Sequence, residues 1–329
     1  MTYARLLQQR LPDGTRRVLL AEAEAHVLSG VATTRELAQA AIATGGTLLD
    51  AARARRTDAR VDLDAALADG TLLPAIDHPD SARIMLAGTG LTHLGSAAGR
   101  DAMHKAAAAG QQTDSMRLFL EGMEGGRPAA GATGAQPEWF YKGDGQSLVA
   151  PDAPLTSPAF AQDGGEEPEL AGIYLIGDDG TPFRLGVALA NEFSDHVTER
   201  HNYLWLAHSK LRQASLGAEL LLGEPPADIR GTSRIERDGA TLWEKPFLTG
   251  EANMSHSLAN LEHHHFKYAA FRRPGDIHVH FFGTATLSCA DAVQTQDGDV
   301  FVIAAEPFAL PLRNPLATAD GAPVTVRPL

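Results

Sequence analysis

Two glutamates one residue apart, Glu167 and Glu169, open a stretch that reads Glu-Glu-Pro-Glu-Leu before the chain turns apolar. At the start of a strand, alternate residues share a face, so these two carboxylates point the same way. Like charges so placed repel unless a cation or a proton comes between them. Carboxylate oxygens are hard donors and suit Mg²⁺, Mn²⁺ or Ca²⁺. A solvated acidic loop would carry the same residues, and the segment alone does not separate the two readings.

The next elements decide whether a third ligand can arrive. Residues 173–176 and 183–189 are mostly apolar and flank Gly177-Asp178-Asp179-Gly180, a hairpin signal. A hairpin returns the chain to its starting end, which brings Asn191-Glu192-Phe193-Ser194 back beside Glu167 and Glu169. Glu192 is then a plausible third ligand, while Ser194 or Asn191 also suits the N-cap of the helix expected after it. Lys210, on that helix, is a cation of the kind that holds an anion or moves a proton. An exposed helical lysine would look the same.

The 13 histidines invite a different chemistry. His263-His264-His265 forms a run, and His278 and His280 share a strand face, which is compatible with zinc. Consecutive histidines on a helix splay around its axis, however, and satisfied structural histidines are the commoner case. Gly88–Gly95 is glycine-rich without the Lys-Ser/Thr pair of a phosphate loop.

Around these residues the chain reads as α+β and β-rich. A small N-terminal α+β unit (residues 1–75) precedes a larger one (residues 76–329), with Asp77-His78-Pro79-Asp80 between them. In the first, residues 16–28 are extended. Thr33-Thr34-Arg35-Glu36 is a capping box opening a helical run to about Arg55. In the second, helices are expected over 97–109, 113–122, 199–214 and 255–270. Strands are expected over 83–86, 276–282 and 300–304, with a second hairpin at Asp238-Gly239. Residues 125–136 read as a mobile loop, and the proline-rich chain after Ala309 as a surface wrap.

Composition narrows the partners. A net charge of −13 argues against nucleic acid and anionic membrane as partners. No apolar window is long enough to span a bilayer, and residues 1–20 lack the apolar core of a signal peptide. The single cysteine, Cys289, permits no intrachain disulfide and reads as a small buried residue. A reducing, cytoplasmic setting is expected.

In order and combination, these segments resemble the fumarylacetoacetate hydrolase superfamily over about residues 83–316. The resemblance rests on Glu167-Pro-Glu169, Asn191-Glu192-Phe193-Ser194 and Lys210. It extends to Pro137–Lys142, Gly250–Met254, Pro274-Gly275-Asp276 and Gly283-Thr284. It implies a β-rich catalytic domain of mixed sandwich or roll form, a homodimer, and a Mg²⁺ or Mn²⁺ ion that chelates a 2-oxo carboxylate. Glu167, Glu169 and Glu192 take the ligand positions. Lys210 and His93 take catalytic positions. Thr284, Lys142, Ser194, Gly90 and Thr92 take positions on the substrate side.

Three departures bear on the reaction. The third ligand is usually Asp, and here it is Glu192. The chain between Glu169 and Glu192 is a bare hairpin. Hydrolases of the family place a Glu three residues after the His, to activate water; after His93 that place is Ser96. Carbon–carbon hydrolysis needs the activated water, whereas dehydration needs an acidified C3–H, a base and an acid. The pattern resembles the branch that dehydrates 2-keto-3-deoxy sugar acids, converting a 2-keto-3-deoxypentonate to 2,5-dioxopentanoate in non-phosphorylated pentose catabolism. The alternatives are a hydrolase releasing pyruvate from a 2,4-dioxo acid, with Glu121, Glu124 or Glu251 as base; an oxaloacetate decarboxylase or tautomerase; and a non-catalytic sugar-acid binder.

Overall fold

The structure is a computed structural model that describes residues 3–94 and 113–329. The helix expected over 97–109, and Ser96, lie outside the described residues.

Seventeen strands are described. The first four are β1 (Arg5–Arg10), β2 (Arg16–Ala21), β3 (Ala25–Leu28) and β4 (Arg56–Val61). Next come β5 (Ile84–Gly88), β6 (Phe140–Asp144), β7 (Leu148–Val149), β8 (Leu155–Ser157), β9 (Pro168–Ile176) and β10 (Pro182–Asn191). The rest are β11 (Ala214–Leu216), β12 (Leu220–Leu221), β13 (Ile229–Arg237), β14 (Ala240–Thr249), β15 (Ile277–Phe281), β16 (Val300–Ala305) and β17 (Leu312–Thr318). The described α-helices are α1 (Thr34–Thr44), α2 (Leu48–Arg53), α3 (Leu63–Ala68), α4 (Asp114–Gly125), α5 (His196–His201), α6 (Leu206–Lys210) and α7 (Leu258–Phe266).

The strands form two sheets. The larger runs β4-β3-β2-β1-β12-β10-β9-β15-β5-β6, with β11 joined to β10 and β7; the smaller runs β14-β13-β16-β17-β8. The β-rich α+β class expected from sequence is the one observed. Strand alternation sorts the side chains of β9 and β15 onto two faces. Ala171, Ile173, Leu175, Ile277, Val279 and Phe281 join a core with α1 and α2. Leu170 and Phe282 join a second core between the two sheets, with Phe247, Leu261 and Ile303.

Most local expectations hold. The capping box does so in part: Thr33 accepts from Glu36 N–H at 3.0 Å, and the Glu36 carboxylate accepts from Ala32 N–H at 2.8 Å. The run to Arg55 is two helices, because Gly45 sits in the left-handed region (φ 66°) and ends the first. The helix after the Asn191 segment is capped by Asp195, not by Ser194 or Asn191. The helical stretch expected over 199–214 is two short helices, and 214 itself begins β11.

Two loops differ from expectation. Residues 125–136 are fastened to α7: Gly134 N–H donates to Asn260 Oδ1 at 3.0 Å, and Asn260 Nδ2 donates to Ala135 C=O at 2.9 Å. Their glycines admit the close backbone approach, so composition alone mimicked a free loop. The stretch expected to wrap the surface instead includes β17, held between β16 and β8 with Leu312, Asn314 and Leu316 buried.

The division expected near residue 76 falls between α3 and β5. Sheet and core both run across it. β1 pairs with β12 through Arg5↔Leu221 and Leu6↔Leu220, and β12 pairs with β10. Leu6, Val18, Leu20 and Leu37 share one cluster with Ile84, Leu86 and Ala188. Leu6 is fully buried. Leu6→Ala is expected to cost about 2–5 kcal/mol and to shift one cooperative transition that includes the site strands. Calorimetry checks it: two separable transitions, with only the smaller moved, would show residues 1–75 to be an independent unit.

Candidate metal centre

The hairpin β9–β10 builds the centre. Ala190 pairs with Glu169 and Asn191 with Pro168, so the next residue, Glu192, lies opposite Glu167. Glu192 N–H donates to Glu167 C=O at 3.0 Å. Residues directly opposite on neighbouring strands share a face. Glu167 and Glu169 share that face by alternation, and the three carboxylates therefore converge. One ligand atom from each lies within 4.8 Å of the others, and all three residues are buried. Pro168 has no N–H to donate; the neighbouring Glu167 N–H is taken by the Asn191 side chain at 3.1 Å.

Two buried lysines compensate the charge. Lys210, at the end of α6, touches Glu167 Oε1 and lies 2.7 Å from Glu192 Oε2. Lys142, from β6, lies 2.5 Å from Glu192 Oε1 and donates to the carbonyls of Phe193 and Lys210 at 2.5 and 3.1 Å. Each oxygen of Glu192 is thus held by a different lysine. Ser194 donates to Glu192 Oε1 at 3.1 Å and stands 3.2 Å from Lys210 Nζ. The Phe140 ring lies 5.0 Å beneath Lys210 Nζ and closes one side with an apolar wall.

The three glutamates do not titrate alike. Burial raises Glu169 well above the ordinary carboxylate range, and the charges of Glu192 and Glu167 add to it. Burial and Glu167 also raise Glu192, against the pull of Lys142 and Lys210. Burial pushes Glu167 the same way, but Lys210 and then His196 outweigh it and hold it well below that range. Burial lowers Lys142, partly offset by Glu192.

His196 escaped the sequence reading. Its Nε2 lies 3.1 Å from Glu167 Oε1 and its Nδ1 3.4 Å from Asp163. Burial would keep it neutral, but Cys289, Asp163 and Glu167 beside it raise it well above the usual range. The Asp-His in Asn191-Glu-Phe-Ser-Asp195-His196 was the available signal. Cys289 is buried, as expected.

The remaining expected residues fall around the triad. Gly283 N–H donates to Glu169 Oε2 at 2.7 Å, with Thr284 next in the chain. Gly283 has φ 93°, and a Cβ there would come within 2.5 Å of Thr92 Oγ1 and 3.5 Å of His93 Nδ1. This close approach sets Thr92 and His93 beside the loop that binds Glu169. Thr92 Oγ1 donates to Phe282 C=O. His93 Nδ1 is 3.2 Å from Thr92 Oγ1 and its Nε2 3.1 Å from Thr249 Oγ1. Burial lowers His93 to about 4, so it is a neutral imidazole with both nitrogens engaged. Gly90 is buried in the same turn, where Leu91 has φ 57°.

The alternative residues stand elsewhere. His265 Nε2 and His278 Nδ1 hydrogen-bond at 2.9 Å, and Trp139 donates to His265 Nδ1 at 3.1 Å. Burial lowers His278 to about 4 and His280 to about 3. Among the described residues, the only group of three or more potential ligands close enough to share an ion is the glutamate triad. Glu121 and Glu124 are exposed on α4, and Glu251 spends a carboxylate oxygen on Leu258 N–H at 2.8 Å.

Comparison with solved structures gives the fold a context. The chain shares its fold with 2-keto-3-deoxy-D-arabinonate dehydratase complexed with magnesium and 2,5-dioxopentanoate, at 16% identity and a TM-score of 0.68, over 98% of this chain and 100% of that one. It is also similar to a 5-carboxymethyl-2-hydroxymuconate delta-isomerase from Mycobacterium smegmatis, at 17% identity and a TM-score of 0.55, over 96% and 100%. A 2-hydroxyhepta-2,4-diene-1,7-dioate isomerase from Mycobacterium marinum matches at 19% and 0.55, over 96% and 98%. The fold is the one that these solved structures share. No family model matches the sequence, and no curated protein does.

The donor set fits a hard divalent cation: three carboxylates, no sulfur, and a backbone N–H that orients one of them. Binding requires Glu169 ionised, whereas burial and the charges of Glu192 and Glu167 favour its protonated form. A raised carboxylate favours the folded state at low pH, and that contribution fades as pH climbs through the folded pKa. Metal affinity runs the other way and rises over the same range. Mn²⁺ binding is therefore expected to release protons and to tighten as pH rises. Calorimetry in buffers of different ionisation enthalpy reads this, and equal heats in all buffers would refute it.

Proposed function

We propose that the chain is a metal-dependent dehydratase of a 2-keto-3-deoxy sugar acid, converting a 2-keto-3-deoxypentonate to 2,5-dioxopentanoate. The observation that carries the reading is the buried triad of Glu167, Glu169 and Glu192 with Lys142 and Lys210 against it. With every group ionised the centre holds three negative and two positive charges. A divalent cation turns this to one positive, which a mono-anionic substrate neutralises. A 2-oxo carboxylate meets that requirement. The dehydratase of the same fold is described with magnesium and 2,5-dioxopentanoate, and the two isomerases are named for unsaturated acids.

Mg²⁺ or Mn²⁺ bound by the three glutamates would supply Lewis acidity toward the C1 carboxylate and C2 oxo oxygens. The chain's own residues do the rest. Lys210, in contact with Glu167 and Glu192, is assigned as the base for the C3 proton or as the cation beside the enolate charge. Loss of the C4 hydroxyl, with the C3 proton, releases water and leaves a C3=C4 double bond. Moving a proton from C5 to C3 gives a C5 enol, which becomes the aldehyde when C4 is protonated. His93, given a catalytic position by the resemblance, is neutral and held by Thr92 and Thr249. We assign it to bracing the Gly90–Thr92 wall, with Lys210 returning its proton to the departing hydroxyl. Ser194 and Lys142 keep Glu192 in place, and Thr284 borders the substrate.

A homodimer belongs to the same reading. Phe160, Leu204 and Leu211, 78%, 86% and 49% exposed, lie on the segments around α5 and α6 and supply apolar surface for it. No described helix is long and apolar enough to cross a membrane.

The test is turnover by the metal-loaded protein. Dehydration of 2-keto-3-deoxypentonate is expected, falling about 10²–10³-fold in Glu169→Gln and Lys210→Met. Wild-type turnover in the presence of chelator, or an unchanged Glu169→Gln rate, would remove the metal from the reaction. Pyruvate release from a 2,4-dioxo acid, without dehydration, would make the chain a carbon–carbon hydrolase instead.

A further inference from the structure

Glu166 precedes the metal ligands but points to the other face of β9. It is fully buried. Among the described residues its two oxygens accept hydrogen bonds from Ser288, 122 positions later: Ser288 N–H donates to Oε1 at 2.9 Å and Ser288 Oγ donates to Oε2 at 2.7 Å. A buried carboxylate is costly, and a mere core position would take an apolar residue at lower cost. The mechanism above makes no use of it.

Its place along the chain explains the arrangement. The loop that follows β15 begins at Gly283, whose N–H is bound by Glu169, and reaches Ser288, whose N–H and hydroxyl are bound by Glu166. Both ends of this short loop are thus tied to carboxylates at the start of β9, one from each face. Thr284 lies between them. The span is further closed by Thr286 N–H donating to Thr284 Oγ1 at 3.3 Å and by Thr286 Oγ1 donating to Pro246 C=O at 3.2 Å. Beyond Ser288, Arg200 donates to Cys289 C=O at 3.3 Å.

We propose that Glu166 is a positioning residue for substrate: by gripping Ser288 it sets the height of the Gly283–Ser288 loop, and so of Thr284, over the metal-bound 2-oxo acid. The Gly283 end moves with the metal ligand itself, while the Ser288 end is independent of the metal. Loosening Glu166 therefore frees the loop without removing a ligand. The inference rests on the 2-oxo acid reading above for its ligand, but not for its loop geometry.

The experiment compares Glu166→Ala, Glu166→Gln and Ser288→Ala with wild type, metal-loaded. Three quantities are read: Mn²⁺ affinity, KM and kcat for 2-keto-3-deoxypentonate, and amide exchange across residues 283–288. Gln can still accept from Ser288 N–H and can donate to its Oγ, so it should restore what Ala loses. Glu166→Ala is expected to raise KM about tenfold, with kcat and Mn²⁺ affinity within about twofold of wild type. Exchange over 283–288 should speed up about tenfold. Ser288→Ala, which keeps the N–H bond, should fall between. If Glu166→Ala does not fold, the split between Glu166→Gln and Ser288→Ala decides. A Gln variant as impaired as the Ala variant, loss of Mn²⁺ affinity in step with KM, or unchanged exchange would each overturn the proposal. If wild type turns over no 2-oxo acid, the functional reading fails; the exchange measurement still decides whether Glu166 holds the loop.

Discussion

Mutual repulsion of three carboxylates in a water-poor corner is the constraint around which the centre is built. The register of β9 against β10 forces it, because a residue, its second neighbour and its cross-strand partner share a face. Everything adjoining answers that repulsion. Lys210 and Lys142 bring two cations from elements far apart in the chain, Gly283 brings a backbone dipole, and His196 leans on Glu167 from behind. The unequal titration of the three glutamates reflects how unequally these partners are shared. Glu167 has the strongest cationic company, whereas Glu169 has none as close among the contacts described.

The two cores explain why such a corner keeps its shape. On the triad's side of β9, small and branched residues such as Ala171, Ala188 and Ala190 pack toward α1 and α2. On the other side, Leu170 and Phe282 pack toward the smaller sheet. Strands held from both faces have little freedom to relax the approach of their carboxylates. The cost of the charge cluster is therefore borne by packing, and a cation that relieved it would meet a frame already in place.

Much of this was legible in the sequence, and the limits have physical reasons. Glu167, Glu169 and Glu192 could be brought together by period-two alternation and one hairpin, both local signals. Lys142 joins them through β6, a non-local strand, so only the family resemblance pointed to it. Glu166 was visible beside the ligands but faces away from them, and its partner Ser288 is too distant for any local pattern to pair. His93 was found by its motif; its neutral state came from burial, which sequence does not display. The loop over 125–136 was misread because glycine and alanine permit tight fastening as readily as motion. Residues 312–318 were misread because proline suggested the surface, whereas β17 accommodates Pro315 between two neighbours. The cap fell at Asp195, next to the Ser194 that the sequence offered, and helix ends are ordinarily uncertain by a residue or two.

The short strand β12 carries an implication for how this chain can be handled. Leu220 and Leu221 of β12 join the first four strands to β10, and both are buried. Removing the chain before residue 76 would strip the cover from that seam and leave apolar backbone and side chains open beside the hairpin that holds the glutamates. An uncovered strand edge of this kind is a template for pairing with other molecules. A shortened form would therefore be prone to self-association, and the residues without evident chemistry act as the guard that keeps the larger sheet from recruiting its neighbours.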